Sequence, residues 1–286
     1  WTAGLSEPIG GAHFVETSGN PRSRFPLPVG TESYTVGRQY LRNDALPEPA
    51  SVRVEDYLNF FDYEDLSPRK EDFAITMEGG SSYAPRGPDY RYLRIGVRAV
   101  APGEEERSTP NLTRFLQAIA YDTETEVEFN PKVVSRYRLV GYENRAGYGR
   151  YRDDSVEGGG VRAGHRTTAL YEVKLVSDAE PQTLATVRLS YRPAKERERR
   201  EITSSISSGQ IEESWEKASP SLQLAVAVAT YAEVLKKTHW NRNFDLFDLA
   251  ARLDEIAARW PDDERVQELA QLARKAASLS RLPEGR

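Results

Sequence analysis

The sequence predicts an α+β fold: an antiparallel β-sandwich with N-terminal helices and a C-terminal helical region. Three observations support this prediction. Apolar residues follow helical spacing at residues 33–63, they alternate with a period of two at 73–191, and helical spacing returns after Pro193. Short strands separated by glycine- and proline-rich turns are typical of an antiparallel sandwich rather than of β-α-β units.

Composition narrows the class of protein. Of 286 residues, 38% are hydrophobic and 29% charged, as in a soluble globular chain. The net charge is -5, and 39 basic and 44 acidic residues are interspersed, so we expect no broad basic face and no nucleic-acid partner. The absence of cysteine excludes disulfides, thiol catalysis, thiolate metal sites and a lipid-bearing cysteine within these residues.

The first half of the chain begins with an extended arm. Residues 1–30 are rich in Gly, Pro and Ser and show no period, so we expect them to lie along a surface. The chain starts at Trp1, so either a leader has been removed or the sequence begins late. A first helix is expected near Ser33, and a second at residues 51–63, behind Pro49.

The strand region alternates cleanly. Leu93, Ile95 and Val97 alternate with charged residues, which predicts a half-buried strand with a charged outer face. Further strands are expected at 73–77, 127–129, 137–141, 169–175 and 185–191. We expect the polar strand faces to stay soluble without a covering domain; these carry Arg94, Arg98, Arg136 and Arg138.

Three helical faces follow in the last third of the chain, at 222–235, 246–260 and 266–276. Pro220 and Asp245 stand at plausible helix starts. The serine-rich stretch at 204–208 is interpreted as a polar linker.

The resulting domain division has three parts. We expect an extended arm at 1–30, a β-sandwich framework with N-terminal helices at 31–200, and a C-terminal helical region at 201–286.

Several stretches resemble one family. They are VRVEDYLNFFDY at 52–63, YLRIGV at 92–97, VEFNP at 127–131, YRLVGYENR at 137–145 and TALYE at 168–172. They look like the regions that flank the von Willebrand factor A-type (VWA) domain in a family of bacterial surface proteins and lipoproteins. The resemblance covers most of the chain from residue 31 onward.

The VWA domain itself is missing from the resemblance. In that family the domain opens with Asp-x-Ser-x-Ser, whose oxygens hold a divalent cation such as Mg²⁺, and no such motif occurs here. The approach to the domain matches as far as Leu112, and its end matches from Thr113. Three explanations for the missing VWA domain stay open: it was lost naturally, it was deleted by engineering, or its residues are left out of the sequence as given. The run Leu116, Ile119 and Ala120 is expected to form a helix that returns to the framework.

The sharpest polar motif is Glu143, Asn144 and Arg145. A catalytic carboxylate would need a partner acid, base or nucleophile, and none stands at a recognisable spacing. We therefore expect a structural motif, in which Asn144 and Arg145 bond to backbone carbonyls and fix the glycine-rich loop that follows.

That loop contains a weak candidate cation site at Asp153, Asp154 and Glu157, followed by glycines at 158–160. The spacing does not fit a twelve-residue EF-hand, so a solvated loop is the favoured interpretation. We predict no metal, no cofactor and no catalytic residues.

The three histidines, His13, His165 and His239, show no metal-ligand spacing, so no metal triad is expected.

Taken with the resemblance, these features predict a non-enzymatic scaffold or adhesion-type protein outside the cytoplasm, at the bacterial cell envelope or surface. Its expected partners are proteins, with no nucleic acid and no small-molecule substrate. Association with a membrane or cell surface would run through a missing N-terminal leader or through other subunits. The alternative is a structural subunit of a larger cell-surface or membrane-associated assembly, and an unusual enzyme is a distant third.

Overall fold

A computed structural model describes residues 13–83, 86–101, 118–142, 160–177, 180–241 and 244–281. In these residues the fold is mixed, with two β-sheets and five α-helices. The helices are α1 (Glu32–Arg42), α2 (Val54–Phe60), α3 (Pro220–Leu235), α4 (Leu246–Ala257) and α5 (Glu264–Ser280). The strands are β1 (Val15–Glu16), β2 (Arg22–Phe25), β3 (Phe73–Gly80), β4 (Tyr90–Ala99), β5 (Ala118–Phe129), β6 (Val134–Leu139), β7 (Val161–Arg162), β8 (Arg166–Leu175), β9 (Thr183–Pro193), β10 (Arg200–Ser207) and β11 (Ile211–Glu212).

The strands divide into sheet A and sheet B. Sheet A has the order β1-β6-β8-β4-β3-β11, and sheet B has the order β10-β9-β5-β2, with β7 also paired to β5. Neighbours are antiparallel except for β11, which runs parallel to β3. Most of these pairs join strands that are distant in sequence, so the sheets tie the two halves of the chain together.

Alternating side chains from both sheets form one hydrophobic cluster. From sheet A it receives Leu93, Ile95 and Tyr171, and from sheet B it receives Val127 and Leu189. Each of these residues is fully buried. The predicted strands at 73–99 and 127–191 therefore share one core, and apolar burial of this kind is the main stabilising contribution.

The opposite face of sheet A is covered by helices. Leu170 and Val140 of this side belong to the same cluster as the apolar residues of α2 and α3. Helix α3 is buried on nearly every side, because it contacts α2, α4 and strands β3 and β4. The expectation that the charged strand face lies open is wrong: Arg94 is 1% exposed and Arg138 is 0% exposed.

Arg138 of β6 joins sheet A to the end of α3. Its Nη2 donates to Oε2 of Glu172 on β8 at 2.8 Å, and its Nη1 donates to Oε1 of Glu233 on α3 at 2.7 Å. Glu172 also accepts a hydrogen bond from Nε of Arg86 at 2.6 Å. Burial alone would lower the pKa of Arg138, but the charges of Glu233 and Glu172 outweigh burial and hold that pKa above its ordinary value.

Arg94 of β4 joins the same sheet to the start of α3. Its Nη1 lies 2.8 Å from Oδ1 of Asp65, and its Nε donates to Glu78 of β3. The hydroxyl of Ser219, the residue that caps α3, donates to the other oxygen of Glu78. The ring of Tyr63 lies 5.2 Å from the guanidinium carbon. Helix α3 is thus fastened to sheet A near both of its ends.

Three further expectations need correction. Ile119 and Ala120 belong to β5 rather than to a helix, because Ala120 pairs with Val161 and Pro193; Leu116, the third residue of the predicted run, lies outside the described residues. The stretch at 204–208 is not a linker, since most of it is β10, hydrogen-bonded to β9. The second helix, expected at 51–63, is shorter: α2 covers only Val54–Phe60, and a separate 3-10 turn (Pro49–Ser51) precedes it.

The chain also crosses two of the predicted domain boundaries. The arm expected at 1–30 contributes β1 to sheet A and β2 to sheet B. The sheets continue past residue 200 through β10 and β11. Backbone groups at sheet edges need partners, and these short segments supply them.

Replacing Arg138 with Met should lower the free energy of unfolding by about 3–5 kcal/mol, because Glu172 and Glu233 would remain buried after losing their shared cation. The matched control is Arg24→Met, which removes an arginine that is 63% exposed and pairs with Glu124 and Glu126. It should cost less than about 1 kcal/mol. Urea denaturation of the two variants measures the difference. Equal losses of unfolding free energy would contradict the assignment of Arg138 as the shared cation of two buried carboxylates.

Replacing Gly96 with Ala should also destabilise the protein, by about 1–3 kcal/mol, because the added methyl group would overlap the Asp65 carboxylate. At Gly19, the control, the nearest atom to an added Cβ is the backbone oxygen of Glu16, 3.8 Å away. Gly19→Ala should therefore stay within about 0.5 kcal/mol of the wild type. Thermal unfolding tests both, and an unchanged midpoint for Gly96→Ala would refute the close packing of Asp65.

Candidate functional site

The turn between β7 and β8 holds the end of β4. The backbone N–H of Gly164 donates to the carbonyl of Val100 at 2.7 Å, and the N–H of Ala99 donates to the carbonyl of His165 at 2.8 Å. Gly164 has a φ of 75°, a conformation that glycine adopts at little cost. The chain therefore leaves sheet A at a fixed point.

The same turn holds the start of β5. Ala118 pairs with Arg162 of β7 in sheet B. A Cβ on Gly160 would collide with the methyl group of Ala118 and lie 2.9 Å from Cε1 of Tyr121, so only glycine fits. Val100 and Ala118, one before and one after residues 102–117, are thus bound to β7 and the turn that follows it. We call Val100, Ala118, Arg162 and Gly164 together the junction.

A second fixed point lies where the chain leaves β6. Tyr142 has a φ of 66°. Its N–H donates to Oε2 of Glu55 on α2 at 3.0 Å, and its hydroxyl donates to the carbonyl of Thr168 at 3.3 Å. A Cβ on Gly141 would lie 3.0 Å from the backbone nitrogen of Glu55. Helix α2 therefore fixes the chain immediately before the predicted polar motif.

The predicted polar residues themselves are not placed by the structure. Outside the described residues lie the motif Glu143, Asn144 and Arg145, the weak candidate cation loop Asp153, Asp154 and Glu157, and the join between Leu112 and Thr113. Their assignments stay predictions.

Of the histidines, His165 lies in the junction turn, whereas His13 and His239 lie with ring centroids 6.3 Å apart. Sequence spacing gave no sign of this approach, because the two residues are at opposite ends of the chain. Across the described part of the chain, no group of three or more His, Cys, Asp or Glu side chains could hold a metal ion.

A polar groove of about 660 Å³ lies near the junction and is lined by residues that include Asp62, Trp260 and Asp263. Asp62 contacts Arg166, the first residue of β8. Asp263 caps α5 and pairs with Arg265 at 2.7 Å. Since both carboxylates already have cationic partners, the groove does not present them as a ready acid–base pair.

At the opposite end of sheet A, cations and aromatic rings alternate in one continuous stack. Six cation-to-centroid distances between 4.7 and 6.0 Å define it, within the range of an effective cation–π contact. In order, the members of this cation–π stack are Lys174, Tyr90, Arg136, Phe14, Arg138, Trp240 and Arg86.

The stack joins three parts of the chain. Phe14 comes from the N-terminal segment, Tyr90 and Arg138 come from sheet A, and Trp240 follows α3. Sequence analysis missed the stack, because its aromatic members are more than seventy positions apart. The available signal is that Arg136 and Arg138, two positions apart, lie on one face of a strand; the sequence predicts that face to be open to solvent, and the structure buries Arg138.

Comparison with known proteins gives two family matches. Residues 114–279 match the family described as "Uncharacterized protein YfbK, C-terminal", and residues 7–91 match the family described as "von Willebrand factor". The Uncharacterized protein YfbK of Escherichia coli (strain K12) is 35% identical over 65 residues. That alignment covers 22% of this chain and only 11% of the relative. No solved structure matches the chain.

The first of these matches spans more than half of the 286 residues. Its span includes β5 to β10, the junction turn and helices α3 to α5. The chain therefore belongs to the family defined by the C-terminal region of the uncharacterized protein YfbK.

Proposed function

We propose that this chain is a protein-interaction scaffold: the framework of a VWA-type protein, which mounts a ligand-binding module between Leu112 and Thr113. In this proposal the two sheets act as a sandwich, the chain has no catalytic activity of its own, and it works outside the cytoplasm at the cell envelope. Its partners are proteins.

The observation that carries the proposal is the position of the two family matches. The von Willebrand factor match ends at residue 91, and the YfbK C-terminal match begins at 114, one residue after Thr113. The same 65 aligned residues are 22% of this chain and 11% of the YfbK relative, so that protein is about twice as long. An extra domain between the matched regions would account for a longer relative.

The contacts of the junction support the proposal that a module is inserted between Leu112 and Thr113. Insertions are tolerated where both chain ends lie close together at a surface. Val100 and Ala118 are both bound to the β7–β8 turn, the first from sheet A and the second from sheet B. A module that is attached at these two points would be held by both sheets, which restricts its rotation relative to the framework.

The alternative, a structural subunit of a larger assembly, predicts broad apolar contact surfaces. Among the described residues, five large hydrophobic side chains are between 36% and 66% exposed. They are Val36, Tyr40, Leu46, Leu66 and Val176. Three of them lie on or just after α1 and the others elsewhere, and scattered exposure of this kind is ordinary. We therefore favour the scaffold.

In the described residues, no helix has the length and apolar character that a membrane crossing requires.

Insertion of a small, independently folded reporter domain between Leu112 and Thr113 tests the proposal. Because the junction already holds both chain ends, the midpoint of framework unfolding should fall by less than about 4 °C. Differential scanning calorimetry resolves the framework transition from that of the reporter.

The control is the same insertion between Pro131 and Lys132, in the tight connection from β5 to β6. This connection also crosses between the sheets, but Val133 N donates to the carbonyl of Asn130 at 2.9 Å, and that bond cannot survive an insertion. Its midpoint should fall by more than about 8 °C. If both insertions destabilise the framework equally, residues 112–113 are not a mounting point.

A further inference from the structure

Phe14 occupies a seat formed by four side chains. Its ring meets Tyr90 edge-on at 5.7 Å and Trp240 edge-on at 5.5 Å. The guanidinium carbons of Arg136 and Arg138 lie 5.0 and 6.0 Å from its centroid. Edge-to-face ring pairs and cation–π contacts each contribute favourably to such packing. We call Tyr90, Arg136, Arg138 and Trp240 the aromatic seat.

The walls of the seat are held by contacts that do not involve Phe14. Arg138 is fixed by Glu172 and Glu233, and Arg136 donates to the hydroxyl of Tyr90. The backbone carbonyl of Trp240 accepts from Nη1 of Arg86 at 3.3 Å. Because the phenyl ring makes none of these contacts, we expect the seat to keep its shape when Phe14 is removed.

The backbone that follows Phe14 lies along the edge of β6. Strand β1 pairs with it through only two positions, Val15 with Tyr137 and Glu16 with Arg136. One further bond joins the N–H of Thr17 to the carbonyl of Ser135 at 3.0 Å. So short a strand has little pairing of its own, and the ring contacts of Phe14 add to its attachment.

We propose that the β6 edge and the aromatic seat form a strand-addition site, which takes an extended segment carrying an aromatic side chain. Residues 13–17 occupy this site within the same chain. An extended strand that adds to a sheet edge is bound by backbone hydrogen bonds and selected by side-chain pockets. Here the pocket selects the aromatic residue, and the edge takes the three residues that follow it.

The occupant from outside that fits this site is the same segment of a second copy of the chain. The contacts of Phe14, Val15 and Thr17 show that its pattern is complementary to the site. When the internal segment leaves, a second copy can supply an identical one, which is the basis of exchange between protomers. This inference does not depend on the proposed mounting of a module.

A synthetic peptide with the sequence of residues 13–20, HFVETSGN, is the probe. In the full chain carrying Phe14→Ala the seat is empty, so the peptide should bind at least about tenfold more tightly than to the wild type, where Phe14 competes. A peptide with Ala in place of its Phe should bind neither protein. Isothermal titration calorimetry measures all four combinations.

Saturable binding of the Phe peptide to the Phe14→Ala chain, at least about tenfold tighter than to the wild type, supports the site. No binding to a Phe14→Ala chain that is folded by circular dichroism, or equal binding of the two peptides, overturns it. Should that variant not fold, the wild type is used with excess peptide, and hydrogen exchange of the Thr17 amide is followed. Acceleration of that exchange by the Phe peptide, and not by the Ala peptide, supports displacement of residues 13–17, and unchanged exchange overturns the proposal.

Discussion

The fold depends on the buried ion pairs and hydrogen bonds that hold helix α3 on the face of sheet A that carries Arg94 and Arg138. Arg138 binds Glu172 of the sheet and Glu233 near the end of the helix. At the other end of the helix, its capping residue Ser219 reaches Glu78, which also binds Arg94. A buried charge is tolerated only when it is paired and hydrogen-bonded, so the two arginines admit few alternative positions for the helix.

Because of these buried ion pairs, the last third of the chain packs against sheet A and is not the separate helical region that the sequence predicts. Arg138 and Arg94 lie buried on one face of sheet A, and Arg138 has a carboxylate partner, Glu233, on helix α3, so this face is covered by the helix. The helical region packs on one face of sheet A, and side chains of the other face belong to the hydrophobic cluster that this sheet shares with sheet B. The junction and the cation–π stack lie at opposite ends of sheet A. Both depend on its strands staying in register.

Much of the secondary structure follows from the sequence alone. The period of two at Leu93, Ile95 and Val97 predicts the strand and identifies its core-facing side, which the structure confirms. Pro220 is the first residue of α3 and Asp245 caps α4, as their positions predict. These signals are local, because each depends on hydrogen bonds or packing within one element.

The sequence could not show which part of the chain covers a given face of a strand. Alternation shows that Arg94 lies opposite to Ile95, but water and a buried carboxylate would both satisfy an arginine there. Only the approach of Asp65, from the connection between α2 and β3, distinguishes them. The helix predicted at Leu116, Ile119 and Ala120 was wrong at Ile119 and Ala120 for a related reason: a short apolar run fits a strand as well as a helix, and only the pairing of Ala120 with β9 distinguishes them.

Contacts between residues far apart in the chain could not be predicted either, because no local pattern links such residues. The seat of Phe14 requires Trp240, more than two hundred residues away, and no periodicity links the two. The junction is non-local in the same way: Val100 and Ala118 contact Gly164 and Arg162, which lie far along the chain, and no sequence pattern predicts those contacts.

Native-state hydrogen exchange of the intact chain tests most directly whether the helical layer and the two sheets are one cooperative unit. Under increasing low concentrations of denaturant, the slowest amides of α3, β4, β8 and β9 should converge on one opening free energy, since the buried ion pairs make separation of α3 as costly as global unfolding. If the α3 amides instead exchange through a separate opening, several kcal/mol below that of β4 and β8, the helical region is an independent appendage and the account is wrong.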